Sequence, residues 1–319
     1  MSRRDFLKTT AAVGAAVAAA LFPFRAFMFA QSVSTPGGNL LPYSAKSPDN
    51  CCIYQPPPAQ GQNPNGIRIF IFAGLKSHEP GQHDYPQFLA DWSKLLTARG
   101  AVVDGALHAP SAEELAHTDV VVIFKGDAGF MTPKEHAALL AYVKRGGGLV
   151  SIHDSLCGPD PKDMAMFVGG GKKHGQVNYT LGARLSYAVV DPSSPIMEGF
   201  PNRFTIDDEA FYRIAWATDP KIHVLATVKI PDTPSAVRGG GVGEVVPQIW
   251  TYEHTLPGGQ SARAFVWMQG HIYGNFSKPV VQNMLVRGIA WAARHPVDEL
   301  VDYKPHVNAR SASIPMRRQ

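Results

Sequence analysis

The chain has 319 residues, of which 45% are hydrophobic and 18% are charged, and its formal net charge is +4. This is the composition of an ordinary soluble globular protein, and a chain of this length can hold one large domain or two modest ones. The basic residues form no stripe along the sequence, which argues against a nucleic-acid-binding protein.

The first 30 residues have the pattern of an export signal. Arg3, Arg4 and Lys8 precede an apolar run at 9–22, and the small residue Ala30 follows. A charged start before a short apolar segment is typical of a signal peptide, and adjacent arginines followed by Phe-Leu-Lys indicate the twin-arginine type. We therefore predict export to the periplasm or secretion, by a route that carries folded proteins. The alternative is an uncleaved membrane anchor, which would be the chain's only contact with a membrane.

Residues 31–66 are predicted to form a linker or surface strap. They are rich in Pro, Gly, Asn, Ser and Gln and show no hydrophobic period. The segment contains Cys51 and Cys52, and the third cysteine is Cys157. Three cysteines cannot all pair within one chain, and the neighbouring pair lacks the second half of a zinc ribbon. We therefore predict neither a disulfide framework nor a structural zinc.

Strands and helices alternate from residue 67 onwards. The apolar runs that predict strands lie at 67–73, 101–104, 119–125 and 149–152. Helical spacing predicts one helix over 84–99. Thr132, Pro133 and Glu135 open a second helix as its N-cap, first-turn proline and first-turn acid. This alternation predicts a doubly wound, mostly parallel α/β sheet.

Three consecutive glycines at 146–148 separate the second helix from the strand at 149–152. A phosphate-binding loop follows a strand and opens a helix, whereas these glycines end a helix and precede a strand. We therefore interpret them as a helix stop.

The second half of the chain changes character. Its predicted strands lie at 184–190, 203–206, 223–229, 246–252 and 263–268. Loops rich in Pro and Gly join them, including a predicted mobile loop at 239–243, so we expect antiparallel additions and long loops above the sheet. A helix over 279–294 closes the domain, which we place at 67–295. Residues 296–319 are predicted to be a loosely held tail.

Histidines stand at the ends of three predicted strands. His78 and His83 follow the first strand, His153 follows the strand at 149–152, and His271 follows the strand at 263–268. In an open α/β sheet, ligands bind outside the carboxyl ends of the strands. We therefore predict one converging site, in which His78, His153 and His271 bind a divalent metal, zinc being the first candidate.

Acidic residues extend this predicted site. Glu209 and Asp208, at the end of a predicted strand, together with His153 are candidates for acid–base catalysis. Asp154 would orient an imidazole ring or contact the substrate. His174 stands in a Gly-rich loop and is a further candidate for substrate binding.

A covalent nucleophile is not expected. The turn after 149–152 presents His153 and Asp154, and the nearby Ser155 and Cys157 lack the Gly-x-Ser-x-Gly frame that relieves crowding at a nucleophile elbow.

Five short segments carry a resemblance to a known family. They are Gly-Gly-Gly-Leu-Val-Ser-Ile-His153, the glycine loop with His174, the pair Asp208-Glu209, Gln269-Gly270-His271, and Arg287-Gly-Ile-Ala-Trp291-Ala. Over residues 67–293 the chain resembles the ThuA-like (trehalose-utilisation) family. The resemblance implies a flavodoxin-like sheet similar to class I glutamine amidotransferases, without their cysteine, and a role in handling sugars. It also implies a substrate contact from a tyrosine after Asp-Glu, which we assign to Tyr212 because Phe211 stands at the family position.

Two functions follow as hypotheses. The first is an exported enzyme that acts on a sugar or a modified, possibly keto, glycoside by hydrolysis or lyase-type chemistry, with metal assistance. The alternative is a non-catalytic module that binds carbohydrate or a partner, with Trp250, Tyr252, Trp267 and Tyr273 as stacking surface. Glutaminase activity is disfavoured because the nucleophile elbow is missing. The oligomeric state is not predicted.

Overall fold

The computed structural model describes residues 66–218 and 221–304. The predicted export signal, the linker up to residue 65, and Cys51 and Cys52 lie outside the described residues. In residues 66–218 and 221–304 no helix is long and apolar enough to cross a membrane.

Twelve strands and six α-helices make up the described part of the chain. In chain order they are β1 (Arg68–Ala73), α1 (Tyr85–Ala98), β2 (Val102–Ala106), α2 (Ala112–Ala116), β3 (Val120–Phe124), α3 (Pro133–Lys144), β4 (Gly148–Ile152), β5 (Cys157–Gly158), α4 (Pro161–Val168), β6 (Gly170–Lys173), β7 (Tyr179–Val189), β8 (Arg203–Phe211), β9 (Ala215–Trp216), β10 (Ile222–Lys229), α5 (Pro234–Gly239), β11 (Val245–Thr255), β12 (Ser261–Trp267) and α6 (Pro279–Ala292). Short 3-10 helices lie at His153–Leu156, Pro195–Met197 and Tyr273–Ser277.

Nine of these strands form one sheet in the order β2-β1-β3-β4-β12-β11-β10-β7-β8. The first five strands in that order are parallel, and the other four continue the sheet by antiparallel pairing. The order of the first four is that of flavodoxin-like sheets, in which ligands bind at the carboxyl edge. A mostly parallel α/β core with antiparallel additions in the second half is therefore confirmed. The strands β5, β6 and β9 form a small separate sheet.

Hydrophobic residues cover both faces of the parallel part. In β1, Ile69 and Ile71 belong to one core cluster with residues of α1 and α6, whereas Phe70 and Phe72 belong to another with residues of α3 and α4. Successive strand residues point to opposite faces, so a strand that is apolar throughout must be covered twice. This burial explains why the first strands read as unbroken apolar runs.

Three helices were not predicted from the sequence: α2, α4 and α5. They have five, eight and six residues, and α4 and α5 begin at a proline in segments that read as loops. Helices of one or two turns offer too few positions for a hydrophobic period to show. The glycine loop before His174 is likewise a strand, β6, held in the small sheet.

The start and the stop of α3 follow the local sequence. Gly146 has φ +92°, a left-handed conformation that glycine adopts without a steric penalty, and its N–H donates to the Val143 carbonyl. At the other end, Thr132 Oγ1 accepts the Glu135 N–H, and the Glu135 carboxylate accepts the Thr132 N–H. The glycines are thus a helix stop, and the helix start is a reciprocal capping box.

Thr132→Ala is expected to lower the free energy of unfolding by about 1 kcal/mol, because it removes the side-chain acceptor of this box. Urea denaturation followed by circular dichroism measures the change. Thr97→Ala, at an exposed position near the end of α1, is the control and should cause no loss, since alanine favours helix. Equal losses in both variants would contradict the capping interpretation.

The folded part reaches beyond the predicted boundary at residue 295. Leu300 is buried, and the Arg287 guanidinium donates to the Asp298 carboxylate at 2.7 Å. The Arg99 guanidinium also donates to the Leu300 carbonyl at 3.1 Å. Residues 296–304 therefore pack on the domain and are not part of a loose tail.

Candidate metal centre and cleft

Four side chains from distant parts of the chain meet in one cluster: His83, His153, Glu209 and His271. One donor atom of each lies within 4.8 Å of the others. His83 Nε2 lies 3.0 Å from His153 Nε2 and 2.9 Å from His271 Nδ1. The Glu209 carboxylate lies 3.1 Å from His271 Nδ1 and 3.5 Å from His153 Nε2. Three ring nitrogens and one carboxylate oxygen therefore face a common point.

The parallel sheet delivers the three histidines. His83 closes the connection from β1 to α1, His153 follows β4 directly, and His271 comes four residues after the end of β12. His83 and His153 have φ values of +47° and +57°, in the left-handed region that residues other than glycine rarely adopt. Such strain persists only where the surroundings enforce it, and it concentrates at functional sites.

Asp208 fixes the position of His271. Its carboxylate is buried and accepts the backbone N–H groups of Gly270 and His271 at 3.2 and 3.0 Å. It also accepts the Asn275 amide at 2.7 Å. Burial raises the pKa of Asp208 from its usual value, although His153 acts in the opposite direction. Asp208 is therefore a positioning residue, and its oxygens are occupied by donors of the protein itself.

Glu209 reaches the three histidines because the sheet brings the end of β8 close to the loop that follows β12. Glu209 lies on β8, four places beyond β12 in the order of the sheet. The sheet must curve for β8 to meet the loop after β12, and two register irregularities in β10 accompany this curvature. The Gln269 amide donates to the Glu209 carbonyl at 3.2 Å and ties the two segments together.

The outer nitrogen of His153 is held by a carbonyl. His153 Nδ1 lies 3.1 Å from the Met268 carbonyl oxygen, which can only accept a hydrogen bond. The Nδ1 atom therefore carries the hydrogen, and Nε2 of the neutral ring presents its lone pair to the cluster. Phe211 stacks on the same ring, with centroids 5.2 Å apart.

The outer nitrogen of His83 is held through a tyrosine. His83 Nδ1 lies 2.8 Å from the Tyr85 hydroxyl, which donates its own hydrogen to the Asp154 carboxylate at 3.0 Å. With its own hydrogen on Asp154, the hydroxyl accepts from His83 Nδ1–H, and Nε2 is then the acceptor atom of that ring; Ser77 Oγ lies 3.2 Å from the same Nδ1. Burial, with help from Asp154, raises the pKa of Tyr85 far above its usual value, so the tyrosine stays a donor.

Protonation affects the two facing rings differently. Burial, followed by the neighbouring His153 and His271, lowers the pKa of His83. Burial also acts against a charge on His153, but Asp154, Glu209 and Asp208 outweigh it and raise the pKa of that ring. The nearby carboxylates therefore favour a proton on His153 over one on His83.

Three members of the cluster, His83, Glu209 and His271, line a cleft of about 420 Å³, a size typical of small-molecule sites, and His153 is fully buried. The walls of the cleft include the side chains of Asp127, Asp154, Lys172, His174 and Phe211.

The residues predicted from the sequence divide into three groups. His153, His271 and Glu209 belong to the cluster, Asp154 and His174 line the cleft around it, and Asp208, His78 and Tyr212 supply no atom to the cluster.

The structure places His78, the predicted metal ligand, beside the cluster and not in it, and His83 from the same loop is in the cluster instead. The His78 side chain is exposed, its ring packs 4.0 Å from that of His83, and its Nδ1 contacts Ser77 Oγ at 3.1 Å. His83 lies directly before Asp84, the N-cap of α1, and is held by the start of that helix. This adjacency to a helix start is visible in the sequence, but it does not by itself identify a ligand.

Tyr212 is not a substrate contact in this structure. Its ring is buried against Gly239 and Gly241, and its hydroxyl donates to the Val177 carbonyl. Alternation along the strand end turns Phe211, and not Tyr212, into the cleft. Three of the four aromatic residues predicted to stack on a sugar are not exposed. Trp250, Tyr252 and Trp267 are buried in the core.

Neither nearby side chain has the environment of an active nucleophile. Ser155 Oγ lies 2.7 and 2.9 Å from two backbone carbonyl oxygens that share its one hydrogen, and it accepts the Lys125 N–H at 3.1 Å. Cys157 is buried, and burial raises the pKa of its thiol well above the usual value. The elbow position after β4 is occupied by His153.

The family model described as trehalose utilisation, ThuA, matches residues 68–292. The chain belongs to the ThuA family. A twin-arginine translocation signal matches residues 1–20, which confirms the predicted export to the periplasm or beyond. No curated protein matches the chain.

Two solved structures share the fold of this ThuA-family chain. A ThuA-like protein from Parabacteroides merdae ATCC 43184 is 19% identical, with a TM-score of 0.53 over 72% of this chain and 90% of that one. A ThuA-like protein from Bacteroides uniformis ATCC 8492 is 17% identical, with a TM-score of 0.52 over 71% of this chain and 91% of that one. At these identities the likeness shows the fold alone.

Proposed function

We propose that this exported ThuA-family protein is a metal-dependent enzyme acting on a sugar or a modified glycoside, including glycosides with a ketone on the ring. The reaction class is hydrolysis or elimination by acid–base chemistry. One observation carries the proposal: donor atoms of His83, His153, His271 and Glu209 converge within 4.8 Å of one another, with the Nε2 atoms of His83 and His153 facing each other at 3.0 Å. The family description, trehalose utilisation, supports a carbohydrate as substrate.

Two lone pairs at that distance repel each other unless a cation lies between them. Burial lowers the pKa of His83 and so disfavours a proton there, which leaves a proton on His153 Nε2 or a metal ion as the group that relieves the repulsion. A divalent ion removes the repulsion and also uses His271 Nδ1 and the Glu209 carboxylate. The donor set therefore fits a metal by its chemistry.

Zinc suits this set best. Ligand atoms roughly 2.1 Å from a tetrahedral zinc lie about 3.4 Å from one another. Four of the six separations lie between 2.9 and 3.5 Å, at or somewhat below that value, and all six lie within 4.8 Å. Such an ion would supply Lewis acidity to a substrate oxygen that joins the four protein donors as a fifth ligand. The outer partners Met268, Tyr85 and Asp154 would keep the ligating rings oriented.

Metal analysis combined with turnover tests the proposal. We expect about one divalent ion per chain in the exported protein, and loss of activity when a chelator removes it. The substrate is a 4-nitrophenyl glucoside with a ketone on the ring, and zinc added back should restore release of 4-nitrophenol. The same glucoside without the ketone serves as the control for substrate class.

Metal-free protein with unchanged turnover would refute the metal centre. In that case a protonated His153 beside Glu209 would hold the cluster together. Saccharide binding without turnover of any ring-keto glycoside would instead favour the non-catalytic binding module.

A further inference from the structure

We propose that His174 and Asp127 form the proton-transfer pair of this site, in which His174 takes the proton from the carbon next to a ketone of the substrate. The inference rests on the proposed function, since it assumes a ring-keto glycoside in the cleft. It assigns the acid–base role to a pair that lies apart from the candidate metal ligands.

A separate base is needed because Glu209 is already engaged. Its carboxylate faces His153 and His271 at 3.5 and 3.1 Å, which makes it part of the ion's donor set. The Asp208 carboxylate is occupied by backbone and amide donors. Neither carboxylate is therefore free to collect a proton from a substrate.

His174 has the geometry of an oriented base. Its Nδ1 lies 2.9 Å from the Asp127 carboxylate, so Nδ1 carries the hydrogen and Nε2 is left as the acceptor. Phe130 packs edge-on against the ring, and the His174 N–H donates to the Gly158 carbonyl. The side chain keeps 59% exposure and lines the cleft. A base within reach of substrate and oriented by a third group is the arrangement that general base catalysis uses.

Asp127 is itself held in an unusual conformation. Its φ is +55°, and its N–H donates to the Asp154 carbonyl at 3.2 Å. A non-glycine residue in this region costs of order 1–3 kcal/mol, which the surrounding contacts must offset. In this backbone conformation the Asp127 carboxylate contacts His174 Nδ1 in the wall of the cleft.

Lys172 supports the same assignment. It stands two residues before His174 on the strand that leads to it, and both side chains line the cleft. The Lys172 side chain is buried, and its Nζ donates to the Gln176 carbonyl at 3.0 Å. An ammonium group in this wall favours negative charge that develops on a nearby oxygen.

The step balances without a further reactant. His174 Nε2 takes the proton from the carbon next to the ketone, the C–H electron pair becomes a C=C bond, and the carbonyl pair moves onto oxygen. When the carbonyl re-forms, the glycosidic C–O bond on the next carbon breaks. The departing oxygen takes the proton back from His174, which gives an alcohol and an unsaturated ketone.

Hydrogen–deuterium exchange in D₂O tests the step directly. The probe is a methyl glucoside with a ring ketone, and proton NMR follows loss of the signal from the C–H next to that ketone. We expect His174→Gln to slow the exchange by about 100-fold or more and Asp127→Asn by roughly 10-fold. Metal content should remain that of the wild type in both variants. In His174→Gly, added imidazole should restore exchange.

The matched control is His223→Gln. His223 is also 59% exposed and pairs with Asp191 at 3.0 Å, but it lies outside the cleft. Its exchange rate should equal that of the wild type. Metal-loaded wild type that does not exchange, or a His174→Gln variant that exchanges normally, would overturn the inference and leave the metal centre standing. A metal-free wild type would instead count against the proposed function.

Discussion

His83→Ala is expected to strip the divalent ion from the protein, whereas His78→Ala is expected to leave it bound. His83 places its Nε2 within 3.0 Å of two other candidate ligand atoms, while the exposed His78 only packs against the His83 ring. Loss of one protein ligand removes most of the affinity of a four-donor site. Metal analysis after gel filtration should give less than about a tenth of an equivalent for His83→Ala and about one for His78→Ala.

The two histidines come from the same loop, so His78→Ala controls for a general loss of loop structure. Turnover of the ring-keto glycoside should follow metal content in both variants. If His78→Ala loses the ion and His83→Ala keeps it, the cluster described above is not the binding site.

Asp208→Ala is expected to lower the free energy of unfolding by about 3–5 kcal/mol, one of the largest single effects in the chain. The substitution leaves the Gly270 and His271 N–H groups and the Asn275 amide buried without their acceptor. Each unsatisfied buried donor costs about 1–3 kcal/mol. Urea denaturation of the zinc-saturated and the chelator-treated protein measures the loss.

Asp207→Ala is the neighbouring control. Its carboxylate is exposed on the opposite face of β8 and pairs with Arg184 at 3.0 Å on the surface. A surface pair of this kind adds little to stability, so Asp207→Ala should unfold like the wild type. Equal midpoints for the two variants would show that Asp208 does not hold the loop that carries His271.

Local sequence was sufficient for the parallel half of the fold. The runs at 67–73, 119–125 and 149–152 became β1, β3 and β4, since a strand covered on both faces has to be apolar throughout. The Thr132 capping box and Gly146 marked the ends of α3, because these signals act within one helical turn. Export could also be predicted from Arg3 and Arg4, since a targeting signal is recognised as a linear sequence.

The choice between neighbouring residues needed contacts across the chain. The sequence placed two histidines, His78 and His83, in one loop, but only the Tyr85–Asp154 hydrogen bond and the Nε2 contact with His153 separate their environments. Tyr212 and Phe211 are distinguished in the same way. Neighbouring residues at a strand end point to opposite faces of the sheet. When the family's tyrosine is displaced by one residue, the packing of the strand therefore decides which side chain faces the cleft.

The sequence by itself determined the fold class, the export route and the strand ends that carry His153 and His271, because these depend on short-range patterns. Only the tertiary structure decided that Glu209 joins them. β8 lies four places from β12 in the sheet, and the approach depends on curvature and on the contacts of Asp208 and Gln269. The pairing of His174 with Asp127, 47 residues earlier in the chain, was likewise decided by long-range packing, which no local pattern encodes.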